Sequence, residues 1–184
     1  IAGNNLSAWR EEWVSLKDST LDTQVALLAW DGRVHHNTAS YTFAFATPPA
    51  LSPSTDLVFS ASQAKIDTVP KHVTVKGDGG DLDRTTLDWD IILTDTSGHE
   101  ARLPLSHDQV LYPQLKSETR HGALFDRIPR SEIVMRRFRF PLRDFLAMNP
   151  KVDPTRLKEI RFAFDKSPRG AIALDDVGFS QERP

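Results

Sequence analysis

The strongest constraint on how this chain can fold is a phase slip in its last apolar strand. Between Arg169 and Gln181, Ile172 and Leu174 stand in one phase, and Val177 and Phe179 in the other. Side chains on a strand alternate between faces, so all four reach one core only if an extra residue intervenes. A β-bulge at Asp175-Asp176 is the simplest such insertion, and it re-aims the two carboxylates. Just upstream, Ile160, Phe162 and Phe164 alternate with Arg161, Ala163 and Asp165, the period of a half-buried strand. Pro168-Arg169-Gly170 marks the turn between the two strands. Earlier still, Arg139 to Leu142 leads into a brief helical turn at Asp144-Phe145-Leu146, closed by Asn149-Pro150.

The same grammar runs through the rest of the chain. Gln24 to Trp30 is a buried-strand run stopped by Asp31-Gly32, and Tyr41 to Phe45 alternates until Pro48-Pro49. Asp56 to Ser60 and His72 to Val75 are further short strands. Thr86 to Thr94 shows the cleanest alternation: Leu87, Trp89, Ile91 and Leu93 share one face, and Asp88, Asp90 and Ile92 share the other. Ser97-Gly98 turns it into Glu100 to Leu105. Ser106 to Arg130 is the longest irregular stretch, and segments of that length tend to be functional. Helical evidence is thin, since Trp9, Trp13 and Leu16 have helix-like spacing while Glu12 to Leu16 also fits an opening strand.

Close-spaced strands with thin helical evidence predict an all-β fold. It is an antiparallel β-sandwich holding residues 1–184 in a single domain, with at most one or two short helices. The start at Ile1, without a methionine, is read as that of a piece of a longer protein. A net charge of -2 supplies no drive toward nucleic acid or an anionic membrane. No apolar run approaches the roughly 18 residues needed to span a bilayer. With no cysteine, a disulfide framework and a thiolate metal site are both excluded.

The closing segment resembles the final strands of galactose-binding-like β-sandwich domains. This jelly-roll group includes many carbohydrate-binding modules of secreted hydrolases. The match lies in Ile172-Ala173-Leu174-Asp175-Asp176-Val177-Gly178-Phe179, preceded by Leu157, Ile160 and Phe162, and extends more loosely to residues 82–105. The resemblance implies jelly-roll topology and a non-catalytic, carbohydrate-binding or accessory module of a secreted multidomain hydrolase. Its partners would be a polysaccharide or glycan and the catalytic domain of the parent, in an extracellular or periplasmic setting. It also implies a structural calcium near the last strand, with Asp175 and Asp176 as ligands and Glu11 or Glu12 as a further acidic donor. Calcium wants six to eight oxygens. Alternatively, the aspartates cap the strand end or pair with Arg10 or Lys17.

Sugars are held by aromatic platforms and planar polar groups, because their CH faces are apolar and their hydroxyls need donors and acceptors. Trp30 and Trp89 sit in core phase, which leaves Trp9, Trp13, Tyr41 and Tyr112 as candidate platforms. Arg136, Arg137, Arg139 and Arg161 add guanidinium groups on two strands expected to be neighbours, unless ion pairs with Glu132, Asp144, Asp165 and Glu159 occupy them. The ligand residues expected are therefore Tyr112, Trp9, Trp13, Arg137, Arg139 and Arg161, and the metal ligands Asp175, Asp176 and Glu12. Catalytic signals are weak. Ser106-His107-Asp108 are adjacent and cannot converge as a triad. Asp88 and Asp90 stand side by side as in jelly-roll glycosidases, but the flanking glutamates of that pattern are missing. Two alternatives stay open: a structural or protein-interaction domain without a sugar site, and a small jelly-roll glycosidase or lyase using Asp88 and Asp90.

Overall fold

The computed structural model describes residues 9–15, 24–31, 39–64, 85–113, 134–167 and 169–181, the first of these as backbone. The strands are β1 (Trp9–Ser15), β2 (Gln24–Asp31), β3 (Ser40–Ala44), β4 (Thr55–Gln63), β5 (Asp90–Asp95), β6 (Glu100–Pro104), β7 (Arg136–Pro141), β8 (Leu157–Ala163) and β9 (Arg169–Gln181). One helix, α1 (Leu142–Met148), lies between β7 and β8. Among the described residues the strands form a five-stranded sheet in the order β1-β2-β9-β4-β7 and a four-stranded sheet in the order β3-β8-β5-β6. Every pairing is antiparallel.

Alternation decides what each strand buries. Leu57, Phe59 and Ala61 of β4 turn inward with Phe138 and Phe140 of β7, and meet Phe162 of β8 from the opposite sheet. Phe59 stacks on Phe138 at 5.1 Å and tilts against Phe162 at the same 5.1 Å, so one ring joins the two layers. Trp30 stacks on Phe164 at 4.2 Å, and its Nε1 donates to the Ser167 carbonyl at 2.8 Å. Gly170 passes beneath this indole: a Cβ there would lie 2.5 Å from the ring, so only glycine lets β9 approach.

The phase slip is a bulge. Ser60 faces Asp175 and Val58 faces Gly178, so Phe59 alone spans what Asp176 and Val177 span on β9. Asp176 takes the left-handed conformation that absorbs the extra residue, with φ of 53°. Val177 and Phe179 consequently pack against the same core as Ile172 and Leu174.

Two local expectations change, and a third choice left open takes one of its alternatives. The strand expected over Thr86 to Thr94 starts at Asp90, and Leu87 makes only an isolated bridge to Leu111. The reason is Ser167, whose hydroxyl accepts from Asp88 N and donates to Asp88 O, both at 3.1 Å, in place of a ladder. The turn at Asp144 to Leu146 is a two-turn helix that buries Leu142 and Phe145, three residues apart on one face. Trp9 to Ser15 is the opening strand and not a helix. The strand at His72 to Val75 lies outside the described residues.

The β5–β6 hairpin is closed by a buried carboxylate. Asp95 Oδ1 accepts from Ser97 N at 2.8 Å and His99 N at 3.0 Å. Its Oδ2 meets His99 Nδ1 at 3.0 Å and accepts from Asp153 N at 3.2 Å. Gly98 supplies the positive φ of 83° that the turn requires. Burial would push the Asp95 carboxyl up, but the bonds from His99, Asp153 and Ser97 outweigh it and hold it at about 2.

Candidate functional site

The outer face of the four-stranded sheet is a lattice of charges laid across its strands. Register places Thr42, Arg161, Ile92 and Arg102 in one row, and Ala44, Glu159, Thr94 and Glu100 in the next. On the other side of the arginine row stand Ser40, Ala163, Asp90 and Pro104. Arg161 Nη2 reaches diagonally over β5 to Glu100 Oε1 at 2.8 Å. Arg102 Nη1 donates to Asp90 Oδ2 at 2.9 Å and to Asp165 Oδ2 at 3.4 Å. Lys166 Nζ lies 2.9 Å from Asp90 Oδ1 and 3.7 Å from Asp88 Oδ2.

This layout fixes planar polar groups over an apolar floor. Ile92 is buried and stands opposite both arginines in register, while their side chains remain partly exposed. Asp90 is the anchor, with a side chain only 8% exposed and each oxygen taken by a cation. Burial alone would lower the Lys166 ammonium pKa, but its bond to Asp90, with the charges of Asp88, Asp90 and Asp165, raises it. Thr42 and Thr94 place buried hydroxyl oxygens in these rows, with no hydrogen-bond partner among the described residues.

Of the expected ligand residues, Arg161 lies on this face and Tyr112, Arg137 and Arg139 do not. The strands carrying the arginines, β7 and β8, are not neighbours, because α1 carries the chain from one sheet to the other between them. The Arg161 partner is Glu100, and neither Glu159 nor Asp165 plays that part. Arg139 forms an ion pair with Asp56 on β4. Arg137 is exposed and makes no ion pair among the described residues. The ring of Tyr112 is half exposed and lies under Arg136, whose Cζ is 5.1 Å from the centroid. Trp9 and Trp13 stand opposite Trp30 and Ala26 on β1, the far edge of that sheet from β7. Their side chains lie outside the described residues.

The carboxylates at the bulge stand apart from Glu12. Glu12 faces Leu27 and Leu27 faces Ala173, so β2 intervenes between β1 and β9. Asp175 Oδ1 accepts from Asp176 N at 2.8 Å, the capping role that sequence left open. No three histidine or acidic side chains come together around a point among the described residues. Two carboxylates fall short of a full calcium shell. Asp88 and Asp90, the candidate glycosidase pair, both bind the Lys166 ammonium, and Asp88 also takes Ser106 N and Oγ at 3.1 and 3.0 Å.

Sequence reasoning missed Arg102, Glu100 and Lys166. Glu100 and Arg102 alternate with Ala101 and Leu103, which marks an outer phase, but nothing local shows that Asp90 and Arg161 are their partners.

No family model matches the sequence, and no curated protein matches it. Solved structures do. A family 30 carbohydrate-binding module matches with a TM-score of 0.65 at 11% identity, over 99% of this chain and 82% of that one. A family 11 carbohydrate-binding module from Clostridium thermocellum, in complex with a β-1,3-1,4-mixed-linked tetrasaccharide, matches at 0.54 and 7% identity, over 92% and 80%. An exo-β-agarase matches at 0.56 and 9% identity, over 96% of this chain and 23% of that one. The chain has the galactose-binding-like, jelly-roll β-sandwich fold of these modules.

Proposed function

We propose that this chain is a non-catalytic carbohydrate-binding module, with the outer face of the four-stranded sheet as its ligand face. One observation carries the reading: Arg102, Arg161 and Lys166 are held in place by carboxylates across that sheet. Preorganised donors suit a ligand rich in hydroxyls, since little side-chain freedom remains to be lost on binding. The fold likeness to carbohydrate-binding modules supports the same conclusion. Its occurrence within 23% of an exo-β-agarase supports an accessory role beside the catalytic domain of a secreted hydrolase. No described helix is long and apolar enough to cross a membrane.

The test is affinity electrophoresis in gels containing mixed-linkage β-glucan, agarose or hydroxyethyl cellulose. Retardation in at least one is expected, and Arg102→Ala and Arg161→Ala should each weaken it by about tenfold, the worth of one lost charged hydrogen bond. Free migration of the wild type in every gel overturns the reading and favours an interaction domain.

Calcium at the bulge is a separate proposal. Any ion there is held by Asp175 and Asp176 with backbone oxygens and water, so the expected Kd is about 10⁻⁴–10⁻³ M, the weak end for calcium modules. Millimolar calcium should raise the melting temperature and a chelator should reverse the rise. A melting curve indifferent to both leaves Asp175 with its capping role alone.

A further inference from the structure

The outer face of the four-stranded sheet carries more carboxylates than cations. Among the described residues, Asp88, Asp90, Glu100, Glu159 and Asp165 stand there with Arg102, Arg161 and Lys166, an excess of two negative charges. Each cation is already matched. Arg102 Nη1 reaches both Asp90 and Asp165, Arg161 Nη2 reaches Glu100, and Lys166 lies against Asp90 and Asp88. Glu159 is partly exposed and forms no ion pair among the described residues. It stands between Ala44 and Thr94 in its row, with Glu100 beyond Thr94, so that part of the face holds two carboxylates for the one guanidinium of Arg161.

An acid group and a hydroxyl meet this arrangement differently. A sulfate or carboxylate on a sugar reaches Arg102 only by competing with Asp90, whose nearly buried carboxylate would then lose its guanidinium. At Arg161 it also meets Glu159, two residues away on the same strand. That separation is roughly 7 Å, inside the Debye length of about 10 Å in 0.1 M salt. A hydroxyl needs no such exchange. A guanidinium offers several N–H groups, and among the described residues Arg102 and Arg161 each use one terminal nitrogen, so the rest of each fork is open to a neutral oxygen. The carboxylates in turn accept from sugar O–H groups without giving up a cation.

We infer that this face discriminates against acidic polysaccharides, and that Glu159 and Asp165 are the residues that set the discrimination. The inference rests on the carbohydrate-binding reading above and adds to it the charge class of the ligand. Selectivity of this kind comes from what the wrong ligand meets, and not from extra contacts to the right one. Asp90 and Glu100 anchor the arginines, and Asp88 and Asp90 anchor Lys166. Asp165 is the weaker partner of Arg102, at 3.4 Å against 2.9 Å for Asp90, so its charge can be removed with that arginine still anchored. Glu159 anchors no cation among the described residues, so its charge acts on the ligand alone.

The test compares polymers that share a backbone and differ in charge. Mixed-linkage β-glucan, agarose and hydroxyethyl cellulose are each set beside a carboxymethylated or sulfated form of the same chain. Equilibrium binding to the immobilised polymers is measured in chelator, with the melting temperature of every protein alongside. In about 0.02 M salt the wild type is expected to bind its preferred neutral polymer at least about tenfold more tightly than the charged counterpart. In about 0.5 M salt, where screening shortens the range of the repulsion, that ratio should fall to about threefold or less. Glu159→Gln combined with Asp165→Asn should lower the ratio in the same way at low salt, and Glu159→Lys should lower it too. Asp176→Asn removes one charge from the opposite sheet, at a left-handed position that asparagine tolerates, and should leave the ratio unchanged. A wild type that binds the charged polymer as tightly as the neutral one overturns the inference and leaves the ligand face standing. So does a ratio that the Glu159 variants do not move, or that Asp176→Asn moves equally. Binding to no polymer, neutral or charged, overturns the carbohydrate-binding reading and the inference with it.

Discussion

Truncating Trp89 to alanine is expected to destabilise the protein by about 3–5 kcal/mol, the range for an aromatic removed from a packed core. Trp89 is wholly buried and lies 5.7 Å from Phe164 and 6.3 Å from Phe162, at the end of the sandwich where β5 begins. Its carbonyl accepts from Leu105 N at 2.7 Å, so collapse of the cavity would also pull on the start of the 3-10 turn Leu105–His107. Polysaccharide binding per folded molecule should barely change, because the ring faces away from the arginine rows. Phenylalanine at the same position should cost far less. Trp89 Nε1 is buried with no partner among the described residues, and an unmet donor costs about 1–3 kcal/mol that Trp89→Phe would recover. Tyr112→Ala should leave stability nearly intact. Denaturant titration of the three variants decides the matter. A Trp89→Ala protein of wild-type stability that has lost glycan binding would mean that the strand faces the other way.

Asp95 should control the acid limb of stability. Its carboxyl is held at about 2 against an ordinary 3.8, so the ionised form is favoured by folding. A depressed carboxyl stabilises the fold above its unfolded pKa and ceases to do so as pH falls through the folded one. The contribution is therefore complete above about pH 4 and lost on descending toward about pH 2. At 1.36 kcal/mol per pKa unit, it amounts to roughly 2 kcal/mol. The side chain is 1% exposed, so solvent does little to screen it. Asp95→Asn should lower stability near pH 7 by that amount and flatten the dependence between pH 4 and 2. Urea titrations of both proteins across this range provide the check. Parallel curves would assign the acid sensitivity to other carboxylates.

The two variants probe different kinds of information in the chain. Trp89 was legible as core from its place between Leu87 and Ile91, because strand alternation is a local property of covalent geometry. The bulge was legible for the same reason. Four apolar residues split between two phases admit one simple remedy, and Asp176 adopts the backbone conformation that supplies it. Asp95 gave no such sign. Its donors include Asp153 N, 58 positions along the chain, and no pattern within β5 announces that contact.

Sequence by itself determined the all-β class, the core phase of the strands and the bulge at Asp175-Asp176, since each follows from how successive side chains alternate. Tertiary structure decided which strands are neighbours. Arg137 and Arg139 differ little from Arg161 in sequence terms, yet α1 sends them to opposite sheets. Likewise Asp90 looked like half of a carboxylate pair until Arg102 from β6 and Lys166 from the β8–β9 turn closed on its two oxygens. Strand partnership depends on how long connections cross between layers. Charges join a face only after those crossings are made, so the charge lattice of the four-stranded sheet is a product of topology and not of any one segment.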